Sequence, residues 1–217
     1  MESFRIHRGV TLIEMIVVVA IVMVLTAIVV VGSGTFNKTI VLAATAYDVG
    51  LSMRTAESFG SGSRQAGAVQ GNIGYGLHFD KNNTSSYQLF ADSNPTTPEE
   101  CHASWPSHIP NAPDMPAGNC TFDESGDVSV GGPYVLGNGI TITDLCVQSA
   151  LSTPMCGLDK LDIVFSRPGG TVYLASNRAY DHTLVKASIK LSSPQGTSQY
   201  VCISTAGQIE TKAASCL

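Results

Sequence analysis

The chain has 217 residues and a formal net charge of −5; 44% of its residues are hydrophobic and 13% are charged. Loss of the first nine residues would remove Glu2, Arg5 and Arg8 and leave a net charge of −6. An acidic surface makes few phosphate contacts, so we expect neither nucleic acid nor an anionic membrane surface as a partner. No Gly-x-Ser-x-Gly or other nucleophile motif occurs, so we expect no enzymatic activity.

The first predicted element is an apolar run of 22 residues, Val10–Val31, in which the polar residues are Thr11, Glu14 and Thr26. A helix of that length spans about 33 Å, enough to cross the hydrocarbon core of a membrane. Two arginines precede the run and indicate a cytoplasmic N-terminus. A carboxylate costs at least ~2.5 kcal/mol near the centre of such a helix and less near its end. Glu14 therefore needs a partner.

A cleaved secretory signal peptide and a plain membrane anchor are two alternative interpretations of this run. A signal peptide has an uncharged core of about 7–15 residues and a small-residue cleavage site, which Val31–Gly34 would supply. The run is longer than that and contains Glu14. A plain anchor accounts for the length but leaves Glu14 unexplained.

The segment "RGVTLIEMIVVVAIV", which begins at Arg8, resembles the type III signal of type IV pilins and pseudopilins. That signal is a short basic leader ending in Gly, then an apolar residue, Thr-Leu-Ile-Glu and a long hydrophobic helix. The apolar residue is most often Phe, where this chain has Val10. The resemblance implies that prepilin peptidase cuts after Gly9 and methylates the new N-terminus at Val10. It also implies that Glu14 pairs with the N-terminal amine of a neighbouring subunit, since a mismatched register would leave two buried charges without partners.

The resemblance also implies a location, a set of partners and a function. The subunit would cross the cytoplasmic membrane once, with its N-terminus in the cytoplasm. An inner-membrane assembly platform would then push it, with other pilin or pseudopilin subunits, into a cell-surface type IV pilus or a periplasmic type II secretion pseudopilus. A DNA-binding minor pilin of a competence system is the alternative. A membrane-anchored enzyme or adhesin that never polymerises would have no use for Glu14.

A second helical pattern follows Gly32–Gly34 and ends at the glycine-rich stretch from Gly60. We predict an amphipathic helix half that packs on the globular domain. Its stripe comprises Ile40, Ala43, Ala44, Tyr47, Leu51, Arg54 with Thr55, and Ser58, flanked by Val41, Val49 and Met53. The predicted organisation is a leader (1–9), a hydrophobic transmembrane and assembly helix (10–34), an amphipathic helix half (35–60) and a β-rich head with disulfides (61–217).

From Gly71 the hydrophobic period changes to two, which predicts strands. The predicted strands are "GYGLHFD", "SYQLFAD", "GDVSV", "GITITDLCV", "LDIVFS", "TVYLAS", "LVKASIKLS" and "QYVCIST". In "LVKASIKLS" the alternation predicts that Lys186, Ser188 and Lys190 face water. The predicted fold class is α+β and pilin-like, with one long N-terminal α-helix packed on an antiparallel β-sheet head domain.

The C-terminal third, "LDIVFSRPGGTVYLAS" followed by "ASIKLSSPQGTSQYVCISTAGQIETK", resembles the GspH/FimT group. In that group a Phe-x-Pro-x-Gly turn precedes a strand, a hairpin and a closing strand that ends in Gly-Arg. Members that bind DNA use C-terminal arginines. This chain has Gly207-Gln208 at the Gly-Arg position, then Glu210 and Lys212. These departures count against DNA binding.

Six cysteines follow the membrane run: Cys101, Cys120, Cys146, Cys156, Cys202 and Cys216. An even number in an exported domain predicts disulfides, with fifteen possible connectivities. We favour pairing between neighbours along the chain, because each such pair brackets a loop or a chain end. The alternative is a zinc site at Cys101, His102, His108 and Cys120, although this spacing matches no Cys-x₂-Cys pattern.

The turn between the first two strands is a minor candidate for calcium. It carries oxygen side chains at Asp80, Asn82 and Thr84, and Asp92 closes the second strand. Oxygen ligands suit a hard cation such as Ca²⁺. The turn lacks the acidic density, the glycine and the closing glutamate of an EF-hand loop, so we favour a solvated hairpin turn. No other cofactor is expected.

Overall fold

The structure is a computed structural model, and it describes residues 10–62, 73–93, 118–150, 152–166, 170–177 and 184–217, with the backbone alone for 31–38. The chain divides between Ile40 and Val41 into two compact units. A single helix, α1 (Leu12–Ser61), contributes residues to both units.

The described residues of the first unit lie mostly in the apolar part of α1. Its stretch Leu12–Val30 has 19 residues with a mean hydropathy of 3.0, and none of it is buried. Valine, leucine, isoleucine and methionine side chains are exposed on every side of this stretch. At 1.5 Å per residue it spans about 29 Å, so it is long and apolar enough to cross a membrane.

In the second unit α1 packs along the predicted flank, where Val49 and Met53 are buried, rather than along the predicted stripe. The buried residues are Leu42, Ala46, Val49, Met53 and Ala56. From the predicted stripe, Tyr47 is 66% exposed and Leu51 is 53% exposed. Both faces of the helix are apolar, so hydrophobic periodicity alone does not identify the packed face. The buried side of the helix lies close to sheet 1, since a Cβ on Gly60 would collide with the carbonyl of Phe165.

Eleven strands follow α1 in the described residues. They are β1 (Gly74–Asp80), β2 (Ser86–Asp92), β3 (Val128–Ser129), β4 (Tyr134–Val135), β5 (Thr141–Ser149), β6 (Met155–Cys156), β7 (Lys160–Ser166), β8 (Thr171–Ser176), β9 (Leu184–Ser192), β10 (Ser198–Ser204) and β11 (Ile209–Lys212). Sheet 1 has the order β3-β2-β1-β7-β8, with β4 also paired to β2. Sheet 2 has the order β11-β10-β9-β5-β6. All of these pairings are antiparallel.

One hydrophobic core joins α1 to both sheets. Leu77, Leu89 and Ile163 reach it from the inner face of sheet 1. Ile189 and Val201 reach it from sheet 2. We call the opposite face of each sheet its outer face. The predicted α+β class, with an apolar N-terminal helix and an antiparallel β-sheet head, is confirmed.

The prediction that Ser188 faces water is wrong, since it is only 2% exposed. Ser188 pairs with Cys146 on one neighbouring strand and with Cys202 on the other. Both cysteines are disulfide-bonded, so the two disulfides flank Ser188 on the outer face of sheet 2. A small side chain fits between them. The alternation itself is correct, because Lys186 is exposed and Lys190 is partly exposed.

Candidate functional site

The N-terminal turn of α1 is capped by its own sequence. The N–H of Glu14 donates to Oγ1 of Thr11 at 3.3 Å, and the N–H of Met15 donates to the Thr11 carbonyl at 3.2 Å. Thr11 is therefore the N-cap, and Thr-x-x-Glu is the capping-box signature. The sequence analysis missed this role, which the spacing alone could have indicated. A carboxylate in the first turn also interacts favourably with the helix dipole.

The polar groups of the apolar run differ in how they are satisfied. The hydroxyl of Thr26 donates to the carbonyls of Val22 and Met23, so the helix itself satisfies it. The carboxylate of Glu14 has no hydrogen-bond or ion-pair partner among the residues that the structure describes. Gly9 lies outside those residues, and Val10, four residues before Glu14, is 65% exposed. A hydrogen-bond or ion-pair partner for the Glu14 carboxylate must therefore come from outside the described residues.

The cysteines of the head are oxidised. Disulfides join Cys146 to Cys156 and Cys202 to Cys216, two of the three pairs favoured from the sequence. Cys120 is also disulfide-bonded, and no described cysteine is free. Its favoured partner, Cys101, lies outside the described residues, as do His102 and His108 of the zinc alternative. A sulfur already in a disulfide offers no thiolate, so Cys120 cannot serve that zinc set in this state.

The four calcium candidates do not meet. Oδ1 of Asp80 accepts the N–H of Asn82 at 2.7 Å, and the Asp80 carbonyl accepts the N–H of Asn83 at 3.0 Å. These bonds close a tight Asx-type turn in the β1–β2 hairpin. Asp92 lies at the opposite end of β2, opposite Gly74, about 20 Å along the strand. The turn and Asp92 belong to separate sites.

Asp92 anchors a distant segment to the outer face of sheet 1. Its carboxylate is 2% exposed and accepts the N–H of Asn119 at 3.0 Å and of Cys120 at 2.8 Å. Gly118 leaves the space for this carboxylate, since a Cβ there would collide with it. Burial, and then the charge of Asp127, raises the pKa of Asp92 to about 8, although the two N–H groups oppose the shift.

A second buried acid lies on the same face. Oδ1 of Asp162 is 2.6 Å from Nδ1 of His78, and the two residues are 4% and 8% exposed. Burial raises the pKa of Asp162, while the bonds from His78 and from the Phe122 N–H lower it. Asp162 and Asp92 together therefore hold the segment Asn119–Phe122. The sequence contains no local signal for either contact, because the partners are 27 to 84 residues apart.

Comparison with known proteins bears on the N-terminal segment. Residues 4–30 match the family described as the prokaryotic N-terminal methylation motif. No curated protein and no solved structure matches the chain. The match stops before the head, so the resemblance of the head to the GspH/FimT group is not confirmed. Residues 4–30 are therefore similar to the N-terminal methylation motif, and the exposed apolar helix begins within them.

Proposed function

We propose that this chain is a structural subunit rather than an enzyme, assembled into a type IV pilus or a type II secretion pseudopilus. Prepilin peptidase cuts it between Gly9 and Val10 and methylates the new N-terminus. Before assembly it lies in the cytoplasmic membrane, with its N-terminus in the cytoplasm. An inner-membrane platform then moves it into the filament, where it contacts other pilin or pseudopilin subunits.

The observation that carries this proposal is an apolar helix whose first turn holds a carboxylate with no partner among the described residues. An uncovered surface with a mean hydropathy of 3.0 requires lipid or other helices around it. In a bundle of such helices water is absent, so Glu14 requires a positive charge. Cleavage creates one at the Val10 amine of each copy. Pairing of Glu14 with the amine of the next copy then sets the register of the helices.

The exposed stripe of the second helix half supports assembly as well. Tyr47 and Leu51 are more than half exposed although the opposite face of α1 is packed. Apolar side chains aligned on one helix face indicate a protein contact surface. We assign this stripe to contacts with neighbouring subunits in the filament.

DNA binding by the head is the alternative function, and the charges of sheet 2 do not favour it. The ammonium of Lys212 is 2.8 Å from Glu210. Lys190 lies over the ring of Tyr200, 5.8 Å from its centroid. Phosphate binding would have to displace these contacts, so we expect weak binding that modest salt abolishes. Submicromolar affinity for duplex DNA at physiological salt would favour the competence alternative.

The substitution Glu14→Gln separates the two roles that Glu14 can have. Glutamine keeps the backbone N–H that Thr11 caps but removes the charge, so a purely capping role predicts normal filaments. The proposed pairing predicts a cleaved subunit that stays in the membrane, because a broken buried pair costs roughly 3–5 kcal/mol. The measurement compares sheared filaments with the membrane fraction. Glu57→Gln, the same change beyond the apolar run, is the control and should assemble. Native levels of the Glu14→Gln subunit in filaments would refute the pairing.

Cleavage is tested by the intact mass of the native protein. We expect a chain that begins at Val10 and carries one added methyl group. A mass that still includes residues 1–9 in assembled filaments would contradict the processing step. The Glu14→Gln variant should be cleaved and methylated at the same position, because the peptidase recognises chiefly the leader and Gly9.

A further inference from the structure

An open cleft of about 400 Å³ lies beside the outer face of sheet 1. One wall is formed by β1, β2 and the turn between them. The other is formed by residues between Phe122 and Pro133, which follow the segment held by the two buried acids. The N-terminal motif and the proposed assembly use no residue of this cleft.

A buried histidine with an unused ring nitrogen lines the cleft. His78 is 8% exposed, and Nδ1 of its ring is fixed by Asp162 at 2.6 Å. The other nitrogen, Nε2, has no hydrogen-bond partner among the described residues. The ring of Phe122 packs on His78 with 4.8 Å between centroids. A polar atom that is buried without a partner costs free energy, so a ligand that bonds Nε2 would recover it.

Three further residues offer acceptors to the cleft, beside Asn83, Ser86 and Ser129, whose polar groups can also donate. Nε2 of Gln88 donates to the Leu89 carbonyl at 2.7 Å, which leaves Oε1 of Gln88 free to accept. Asp80 and Glu124 add two carboxylates. Nε2 of His78 accepts a hydrogen bond when Nδ1 donates to an ionised Asp162, and it donates one when a protonated Asp162 donates to Nδ1. No lysine or arginine is among the lining residues that the structure describes.

This lining selects one chemical class of ligand. The absence of a basic group from the described lining disfavours an anion. A compact metal ion is also disfavoured, because the ligand atoms of these residues do not converge. Within the described residues, the one group of three or more His, Cys, Asp and Glu ligand atoms within 4.8 Å of one another is Asp144, Cys146 and Cys156, on sheet 2. A guanidinium spreads five donors over a plane, can reach separated acceptors and stacks on an aromatic ring such as Phe122.

We propose that this cleft binds a guanidinium group, presented by an arginine side chain of a partner protein or by a free guanidino molecule. Asp80 and Glu124 supply the charge, and Phe122 contacts the planar face. Gln88 accepts a hydrogen bond, and His78 accepts another when Asp162 is ionised. The charge and the number of donors, rather than size, determine recognition. The proposal holds whether or not the subunit polymerises.

The test is a calorimetric titration of the full chain in detergent micelles with Nα-acetyl-arginine amide. Nα-acetyl-citrulline amide is the matched probe, because it has the same shape but no charge. We expect the citrulline probe to bind at least about tenfold more weakly. Two further probes separate the sources: tighter binding of a Gly-Arg-Gly peptide than of methylguanidine indicates a protein partner, whereas equal affinity indicates a free molecule. Equal affinity for the arginine and citrulline probes, or no binding of either, would overturn the proposal.

Variants locate the binding to this cleft. The double variant Asp80→Asn with Glu124→Gln should weaken the arginine probe by about tenfold or more. The Asp80→Asn change retains the side-chain oxygen that closes the hairpin turn, so we expect the fold to persist. Glu210→Gln removes a carboxylate on sheet 2 and should leave the affinity unchanged. An unchanged affinity in the double variant would show that the probe binds elsewhere and would also overturn the proposal.

Discussion

Different interactions hold the chain segments that lie against the outer faces of the two sheets. On sheet 2 the disulfides Cys146–Cys156 and Cys202–Cys216 lie on either side of the buried Ser188. The outer face of sheet 1 instead carries buried ionisable groups, which hold a segment 27 or more residues away from Asp92. A head domain can therefore hold its loops either through disulfides or through buried carboxylates. The first kind of closure responds to reductant and the second to pH.

The largest expected effect comes from breaking the buried pair of sheet 1. His78→Ala leaves Asp162 buried without its partner, and we expect a loss of roughly 3–5 kcal/mol in the free energy of unfolding. The double variant His78→Leu with Asp162→Leu removes both polar groups and should lose clearly less. Urea denaturation of the full chain in micelles measures both. If the double variant is as unstable as His78→Ala, the pair is not the source of the effect.

The covalent closure of sheet 2 gives the next largest effect. Cys202→Ala with Cys216→Ala opens a loop with a sequence separation of 14, which corresponds to about 3 kcal/mol. Reductant should destabilise the native chain, and this variant should lose less in reductant because it has one disulfide fewer. The pH dependence should stay the same, since the acids are on the other sheet. If the variant is as stable as the native chain, the Cys202–Cys216 disulfide does not stabilise the fold.

The buried acids of sheet 1 should lower the free energy of unfolding of the chain as the pH rises. The pKa of Asp92 in the folded chain, about 8, is above its ordinary value of 3.8, so the folded state keeps a proton that the unfolded state releases. This contribution is fully present below about pH 4 and is lost as the pH rises to 8, by roughly 2 kcal/mol between pH 6 and 8. Asp162 acts in the same direction. Asp92→Asn should reduce the slope of unfolding free energy against pH, and an unchanged slope would remove Asp92 as its cause.

The sequence analysis succeeded where the determining interactions are local. Strands β1, β2, β8 and β9 have the bounds that alternation predicted, because the period-two pattern lies within each strand. The cysteine pairs of sheet 2 are also close in sequence. The strands β4, β6 and β11 were not predicted, since two of them have two residues each and the third is almost wholly exposed.

The analysis failed where tertiary packing decides. Apolar residues lie on more than one face of α1, and its buried face is identified by its contacts with the sheets, such as the close approach at Gly60. Asp92 and Asp162 occupy ordinary strand positions, and nothing near them in sequence indicates a partner. At the N-terminus Thr11-x-x-Glu14 supports two interpretations at once, a capping box and an assembly charge, and the pattern alone does not separate them.

Alanine substitutions at two glycines of α1 should change stability the least, and they compare the packing of α1 on each sheet. Gly60 and Gly50 are both helical, and alanine in a helix is normally favoured over glycine by about 0.5–1 kcal/mol. A Cβ at Gly50 would meet Cγ2 of Ile209, on sheet 2, at an ordinary 3.6 Å. At Gly60 it would collide with the backbone of Phe165, on sheet 1, which cannot move without disturbing β7.

We therefore expect Gly50→Ala to stabilise the chain by about 0.5 kcal/mol and Gly60→Ala to destabilise it by at least about 1 kcal/mol. Urea midpoints of the two variants, measured side by side, provide the comparison. Opposite signs would show that α1 is seated tightly on sheet 1 and more loosely on sheet 2. Stabilisation by both would mean that β7 yields to the added methyl group, and the close packing assigned to Gly60 would then be wrong.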